Sequence, residues 1–350
     1  MPPPMPLSQI LPRLRHAAHK AIPVVGTMLL AVGALALLSK AMVVDLGSFV
    51  LAALLPLVVA RLPHARSAAE QVRDCGVVMA TAVVAVELPP FIAGQPLPGS
   101  AALVACAVGS KWLRGRNRTL GITAAGAGLA VRLALISLVA PGRDHAASGA
   151  LVAIGLVALV FLCQAGSRRL RKLDAPPRAA AAPSVPRATR TVQRRSGTLQ
   201  MLLAFSASCL LGRWLFGMHW NWAALSAFLV LTGPLNRAEV LNKGLQRLVG
   251  AAAGTVAAAA LAGPFGAGSR PTLLALLAVV VVSIALRGVA YAGWVAGITA
   301  ALSLLYSYEG QDAGALLGIR LMALATGALL AIGAGWFVWP VRPVREPDAG

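Results

Sequence analysis

Long apolar stretches separated by short polar gaps run the length of the chain. They lie near 21–39, 46–60, 76–92, 98–110, 119–140, 149–166, 198–215, 220–234, 248–265, 271–286, 289–306 and 313–339. A membrane-spanning helix needs about 20 mostly apolar residues, and most of these stretches approach that length. The second, fourth and eighth are shorter. The pattern predicts an all-α polytopic membrane protein with about 12 transmembrane helices. One long polar stretch, residues 167–197, breaks the rhythm. It is rich in Pro, Ala and Arg without an apolar period, and reads as a loosely ordered basic linker. The chain then divides into an N-terminal tail (1–20), a first six-helix membrane repeat (21–166), the linker (167–197), a second six-helix repeat (198–340) and a C-terminal tail (341–350).

The two halves resemble each other at a shift near 174 residues. Leu88-Pro-Pro-Phe-Ile-Ala-Gly94 aligns with Ala262-Gly-Pro-Phe-Gly-Ala-Gly268, and Arg73 falls on Arg247. Gly-Ile-Thr-Ala-Ala occurs at 121–125 and again at 297–301. Six spans per half start both halves on the same side, so the repeats are parallel, an arrangement frequent in carriers. The short second and eighth spans occupy equivalent positions. Each carries a proline near one end, Pro56 and Pro234. Proline removes an amide donor, and paired interrupted spans point to a transport site. The plainer reading is that both helices end there, and Gly233 beside Pro234 favours it for the eighth.

Composition strengthens the membrane reading. Hydrophobic residues make up 58% of the 350 residues and charged residues 12%, against about 45–50% and about 25% in soluble domains. That excess of apolar surface argues against a soluble enzyme or a nucleic-acid-binding domain. The formal net charge of +20 sorts by position. With the N-terminus cytoplasmic, 25 of the 31 Lys and Arg fall in the tails, the even-numbered gaps and the linker. Such asymmetry sets orientation. It places both termini in the cytoplasm and needs no nucleic acid to explain it. The linker's charge suits anionic lipid headgroups. The first apolar segment ends at Lys40 without a small-x-small cleavage pattern, so it reads as a retained helix.

Three ionisable residues interrupt the apolar stretches. Glu87, Arg132 and Arg320 lie at depths of about 17, 20 and 20 Å from the cytoplasmic face, roughly one layer. A lone charge there costs about 2.5–3.5 kcal/mol on insertion scales and needs a partner or water. In the functional reading the arginines attract an organic anion and Glu87 carries a proton. In the structural reading Glu87 and Arg132 pair to hold helices together, or Glu87 snorkels outward past Pro89 and Pro90. Trp214, Trp220 and Trp222 on one side, and Trp336 and Trp339 on the other, read as interfacial belts. The four cysteines form no CxxC pair and read as reduced, packed thiols. No nucleotide loop, metal-ligand cluster or nucleophile motif occurs, so the expectation is a protein that is not an enzyme and has no cofactor or metal.

Four stretches carry a family resemblance. They are Trp220-Asn-Trp-Ala-Ala-Leu-Ser-Ala-Phe-Leu-Val-Leu-Thr-Gly-Pro234, Lys243-Gly-Leu-Gln-Arg-Leu-Val-Gly-Ala-Ala-Ala-Gly254, Tyr291-Ala-Gly-Trp-Val-Ala-Gly-Ile-Thr299, and the last span with Arg320 and Trp339-Pro340. In order and spacing the C-terminal half resembles the fusaric acid resistance protein-like family of membrane transporters, which includes aromatic acid exporters. Trp220, Pro234, Arg247 and Arg320 stand at family-typical positions. The N-terminal half looks like a diverged copy that keeps Arg73 and has Gly155 near the place of Arg320. The resemblance implies a bacterial inner-membrane exporter of small aromatic or other organic acids, driven by the proton gradient. Its implied partners are the lipid bilayer, a small organic anion and, as in some relatives, a periplasmic adaptor protein. Many members carry a large cytoplasmic domain where this chain has its short linker. An organic-anion channel and a non-transporting scaffold for an envelope assembly are the competing readings.

Overall fold

A computed structural model describes residues 7–41, 44, 46–62, 67–114, 116–138, 146–171, 187–233, 236–262, 269–286, 290–308 and 313–338. Among these residues the chain forms twelve α-helices. They are α1 (Leu7–Leu38), α2 (Leu46–Val59), α3 (Ala68–Gly94), α4 (Pro96–Trp112), α5 (Arg118–Ser137), α6 (Ala146–Arg171), α7 (Arg187–Phe216), α8 (Trp220–Leu231), α9 (Arg237–Ala262), α10 (Arg270–Leu286), α11 (Tyr291–Tyr308) and α12 (Ala313–Phe337). Each apolar stretch of the sequence thus becomes one helix.

Five helical stretches are long and apolar enough to cross a membrane. One of these, Val192–Leu231, covers 40 residues, about 60 Å of helix and twice the thickness of a bilayer core. It is two helices. Gly217, at φ 53°, turns the chain between them, a conformation that costs glycine little. The two helices α7 and α8 then pack against each other. Large apolar side chains elsewhere lie on the outside, as with Leu151 at 69%, Leu210 at 71% and Phe337 at 82% exposure. Such a surface suits lipid rather than water.

Local signals set several helix starts. Ser67 accepts a hydrogen bond from the Glu70 amide at α3, Asn117 from the Leu120 amide at α5, and Asn236 from the Glu239 amide at α9. Each satisfies an amide that the helix itself leaves open. Helix α7 begins at Arg187, inside the stretch expected to be a loosely ordered linker. Arg, Ala and Gln are good helix formers and carry the helix back from its apolar part. At the other edge α6 runs on to Arg171; residues 172–186 lie outside the described residues. The basic N-terminal tail is helical from Leu7.

Within the first half, α1 packs on α2 and α6, α2 on α5 and α6, α3 on α4, α5 and α6, and α4 on α5. Within the second half, α7 packs on α8 and α12, α8 on α12, α9 on α11 and α12, and α10 on α11. The halves meet where α4 lies on α7, α1 on α10 and α5 on α8. Asn221 on α8 crosses this seam and donates from Nδ2 to the Leu135 carbonyl at 2.8 Å. Glycines allow the tightest crossings: a Cβ on Gly254 would stand 2.1 Å from the Ala296 carbonyl oxygen of α11, and one on Gly327 of α12 2.0 Å from that of Ala223 on α8. Small residues of this kind let helix backbones touch.

Candidate functional site

The short helix α8 is the centre of the arrangement. Eleven of its 12 residues are buried, because α7, α12, α5 and α9 surround it. Its 12 residues make a rod of about 18 Å, well short of a bilayer core of about 30 Å. Cations from five neighbouring helices reach it one after another.

At its start, Arg213 of α7 lies 4.4 Å from the Trp220 ring centroid, and its Nη2 donates to Ser100 Oγ of α4 at 2.8 Å. Two residues on, Arg320 of α12 lies 4.2 Å from the Trp222 ring, while its Nη1 donates to Ser303 Oγ of α11 at 3.0 Å. Next, Arg247 of α9 donates from Nε to Ser226 Oγ at 3.1 Å. Ser226 Oγ in turn donates to the Leu324 carbonyl at 2.7 Å. Arg132 of α5 then stands 5.9 Å from the Phe228 ring. Gly128 lies beside both, where a Cβ would be in ordinary contact with Arg132 Nη2 and Phe228 Cζ at 3.7 Å.

The far end of α8 takes two lysines. Lys111 of α4 donates to the Leu231 carbonyl and Lys243 of α9 to the Thr232 carbonyl. The last carbonyls of a helix lack intrahelical donors and carry its partial negative charge, so cations are stabilised there. Gly233, at φ 106°, turns the chain away immediately afterwards. Gly197 on α7 makes space for Lys111: a Cβ there would lie 2.8 Å from the lysine Cε.

Both lysines sit outside the apolar spans, at the edge where α4 ends and α9 begins. Burial, then Arg114, pushes the Lys111 ammonium down to about 8, with Glu239 acting in the opposite direction. Burial, then Lys111, Arg247, Arg114 and Arg132, pushes Lys243 down to about 7. Arg61 and Arg114 are exposed at the same end and lie within electrostatic reach of Arg132. Access therefore narrows inward: exposed Arg61 and Arg114, half-buried Lys243 and Arg132, then buried Lys111 and Arg247. None of Arg132, Lys243 and Arg247 makes a salt bridge among the described residues. Six cations along one helix form a strongly positive column, and the chemistry it can perform is to hold and pass anions.

Several sequence expectations change here. Arg132 and Arg320 do not share a layer, because they meet α8 six residues apart, about 9 Å along its axis. Depth counted along a straight span ignores helix tilt and the length of an arginine side chain. Glu87 is half-buried on α3, which packs chiefly on α4, α5 and α6. It forms no ion pair with Arg132 among the described residues. Trp220 and Trp222 are not belt residues: they are 7% and 3% exposed and sit under Arg213 and Arg320. Trp214, at 80% exposure, does face outward. Pro234, Trp339 and Pro340 lie outside the described residues. Lys111, Lys243 and Arg213 are site residues that sequence reading counted only as orientation charges.

The column is built mostly from the C-terminal half, and that half carries the family match. Residues 203–334 match the family described as fusaric acid resistance protein-like. The matched region includes Arg213, Trp220, Trp222, Ser226, Phe228, Lys243, Arg247 and Arg320. It supports that family for this half and, with the apolar helices, a multi-pass membrane protein. No curated protein and no solved structure matches the chain.

Proposed function

We propose that the protein is a transporter of small aromatic or other organic acids, working as a proton-coupled exporter in a bacterial inner membrane with both termini cytoplasmic. The observation that supports this reading is the column of cations on α8. Arg132, Arg247 and Arg320 lie on membrane helices, where a charge is costly and is kept for function. Arg132 and Arg247 make no salt bridge among the described residues, and an anion at the column would compensate them. Trp222 and Phe228 lie buried under Arg320 and Arg132 and hold the guanidinium groups in place.

In this reading all twelve helices span the membrane as two parallel six-helix repeats. Several packed pairs of the first half, α1–α2, α1–α6, α2–α6, α3–α5, α3–α6 and α4–α5, have counterparts six helices later, while α2–α5 and α3–α4 have none among the described residues; the shared pairs support a duplicated origin. Glu87, away from the column, is the carboxylate candidate for proton coupling. A periplasmic adaptor is a further partner that the family resemblance suggests.

Purified protein in proteoliposomes tests this. Uptake of benzoate or a hydroxybenzoate should be accelerated by a pH gradient, and Arg320→Ala should abolish it at unchanged protein level. Steady anion current without proton movement would point to a channel instead. Absence of flux for every anion tried would refute transport.

A further inference from the structure

The two lysines at the end of α8 come from opposite halves of the chain and converge on adjacent carbonyls, Leu231 and Thr232. The groups facing Lys243 are Lys111 and Arg114 from α4 and the turn after it, Arg132 from α5, Arg247 on its own helix, and the Tyr291 ring of α11 at 5.5 Å. All the charged ones are cations. The carboxylate in reach of Lys111 is Glu239, one turn before Lys243 on α9. A carboxylate ion entering here would meet half-buried Lys243 and Arg132 first and buried Lys111 and Arg247 behind them.

We propose that Lys111 and Lys243, backed by Arg132 and Arg247, form a carboxylate-binding site at the seam between the halves, and that filling it draws a proton from solution onto Lys243. The proposal deepens the transport reading and rests on it for the identity of the anion. The reasoning is electrostatic. Burial first, and then the crowd of cations, disfavours the ammonium form, so near neutral pH Lys243 gives up its proton easily. A bound carboxylate reverses that balance and favours the ammonium form. Anion and proton therefore bind together, through a base rather than an acid. No bond is made or broken except N–H: the proton comes from water or buffer, and the site gains one anion and up to one proton.

The experiment is calorimetric titration of the purified full chain in detergent with sodium benzoate and, separately, sodium acetate. Titrations run in two buffers of different ionisation enthalpy, so that protons taken up are counted directly. Wild type should take up a substantial fraction of one proton per benzoate near pH 7.5. If the anion binds only with both lysines charged, affinity should fall about twentyfold between about pH 6 and pH 8: about tenfold from a group titrating near 7 and about twofold from one near 8. Lys243→Arg should still bind benzoate, take up far fewer protons, and lose only about twofold over the same range, the part due to Lys111. Binding without proton uptake by wild type would overturn the proposal, as would unchanged uptake in K243R. Failure of both carboxylates to bind folded protein at pH 6 would also overturn it. Should K243R not fold, the wild-type proton count decides alone. Binding with proton uptake but no vesicle flux would leave this site standing and remove the transport reading; flux without binding here would do the reverse.

Discussion

Gly254 gives the sharpest test of how the column is held in place. It lies on α9 seven residues after Arg247, on the same face of the helix. A Cβ added there would sit 2.1 Å from the Ala296 carbonyl oxygen and 2.8 Å from that residue's carbonyl carbon and Cα, all backbone atoms of α11. Ordinary contact begins near 3.4 Å, so α9 and α11 must separate by about 1.3 Å. A gap of 0.5–1 Å already forfeits about a quarter to a half of each dispersion contact along a helix pair. Forcing an extra carbon into such a place costs about 1–3 kcal/mol. Gly254→Ala should therefore lower the melting temperature in detergent, followed by tryptophan fluorescence. It should also reduce anion flux, since Arg247 moves with α9 relative to Ser226. Gly155→Ala is the control, because a Cβ there meets nothing within 4 Å. If G254A and G155A melt together with wild type, the α9–α11 crossing is not as close as described, and the placement of Arg247 falls with it.

Asn221→Leu should destabilise the seam by about 1–3 kcal/mol, because the Leu135 carbonyl then loses its buried donor; denaturant or thermal unfolding in detergent measures it. Asp74→Ala removes the buried carboxylate that pairs with Arg118 and leaves Glu70 at 3.9 Å as a weaker partner. A loss of about 1–3 kcal/mol is expected by the same assay, and a neutral result would make that pair incidental. Trp222→Leu should impair transport more than folding, since the ring under Arg320 is replaced by an apolar group of smaller volume. Equal loss of expression and flux would assign Trp222 to packing alone. Reporter fusions within residues 172–186 should read as cytoplasmic, and a periplasmic signal would reverse the orientation.

Much of the architecture is legible along the chain. Apolar runs of the right length locate all twelve helices because hydrophobicity and helix formation are local properties. The boundary error at α7 is also local: Arg, Ala and Gln were read as linker composition although they support a helix. The site was harder. Arg132 and Arg320 stand out because each interrupts an apolar run, and that is a one-dimensional signal. Lys111 and Lys243 give none, since each belongs to a polar gap and looks like any other orientation charge. Their meeting at Leu231 and Thr232 depends on how α4 docks across the seam, which no spacing in the sequence encodes. The one available clue was the brevity of the eighth apolar stretch, which becomes the short buried helix α8.

That helix has an electrical meaning. The cations meet α8 at successive points along about 18 Å of its axis, so a voltage across the membrane would act on each at a different depth. Each fixed cation becomes a rung at a different potential, so membrane voltage, and not only concentration, would decide which way a negatively charged cargo steps.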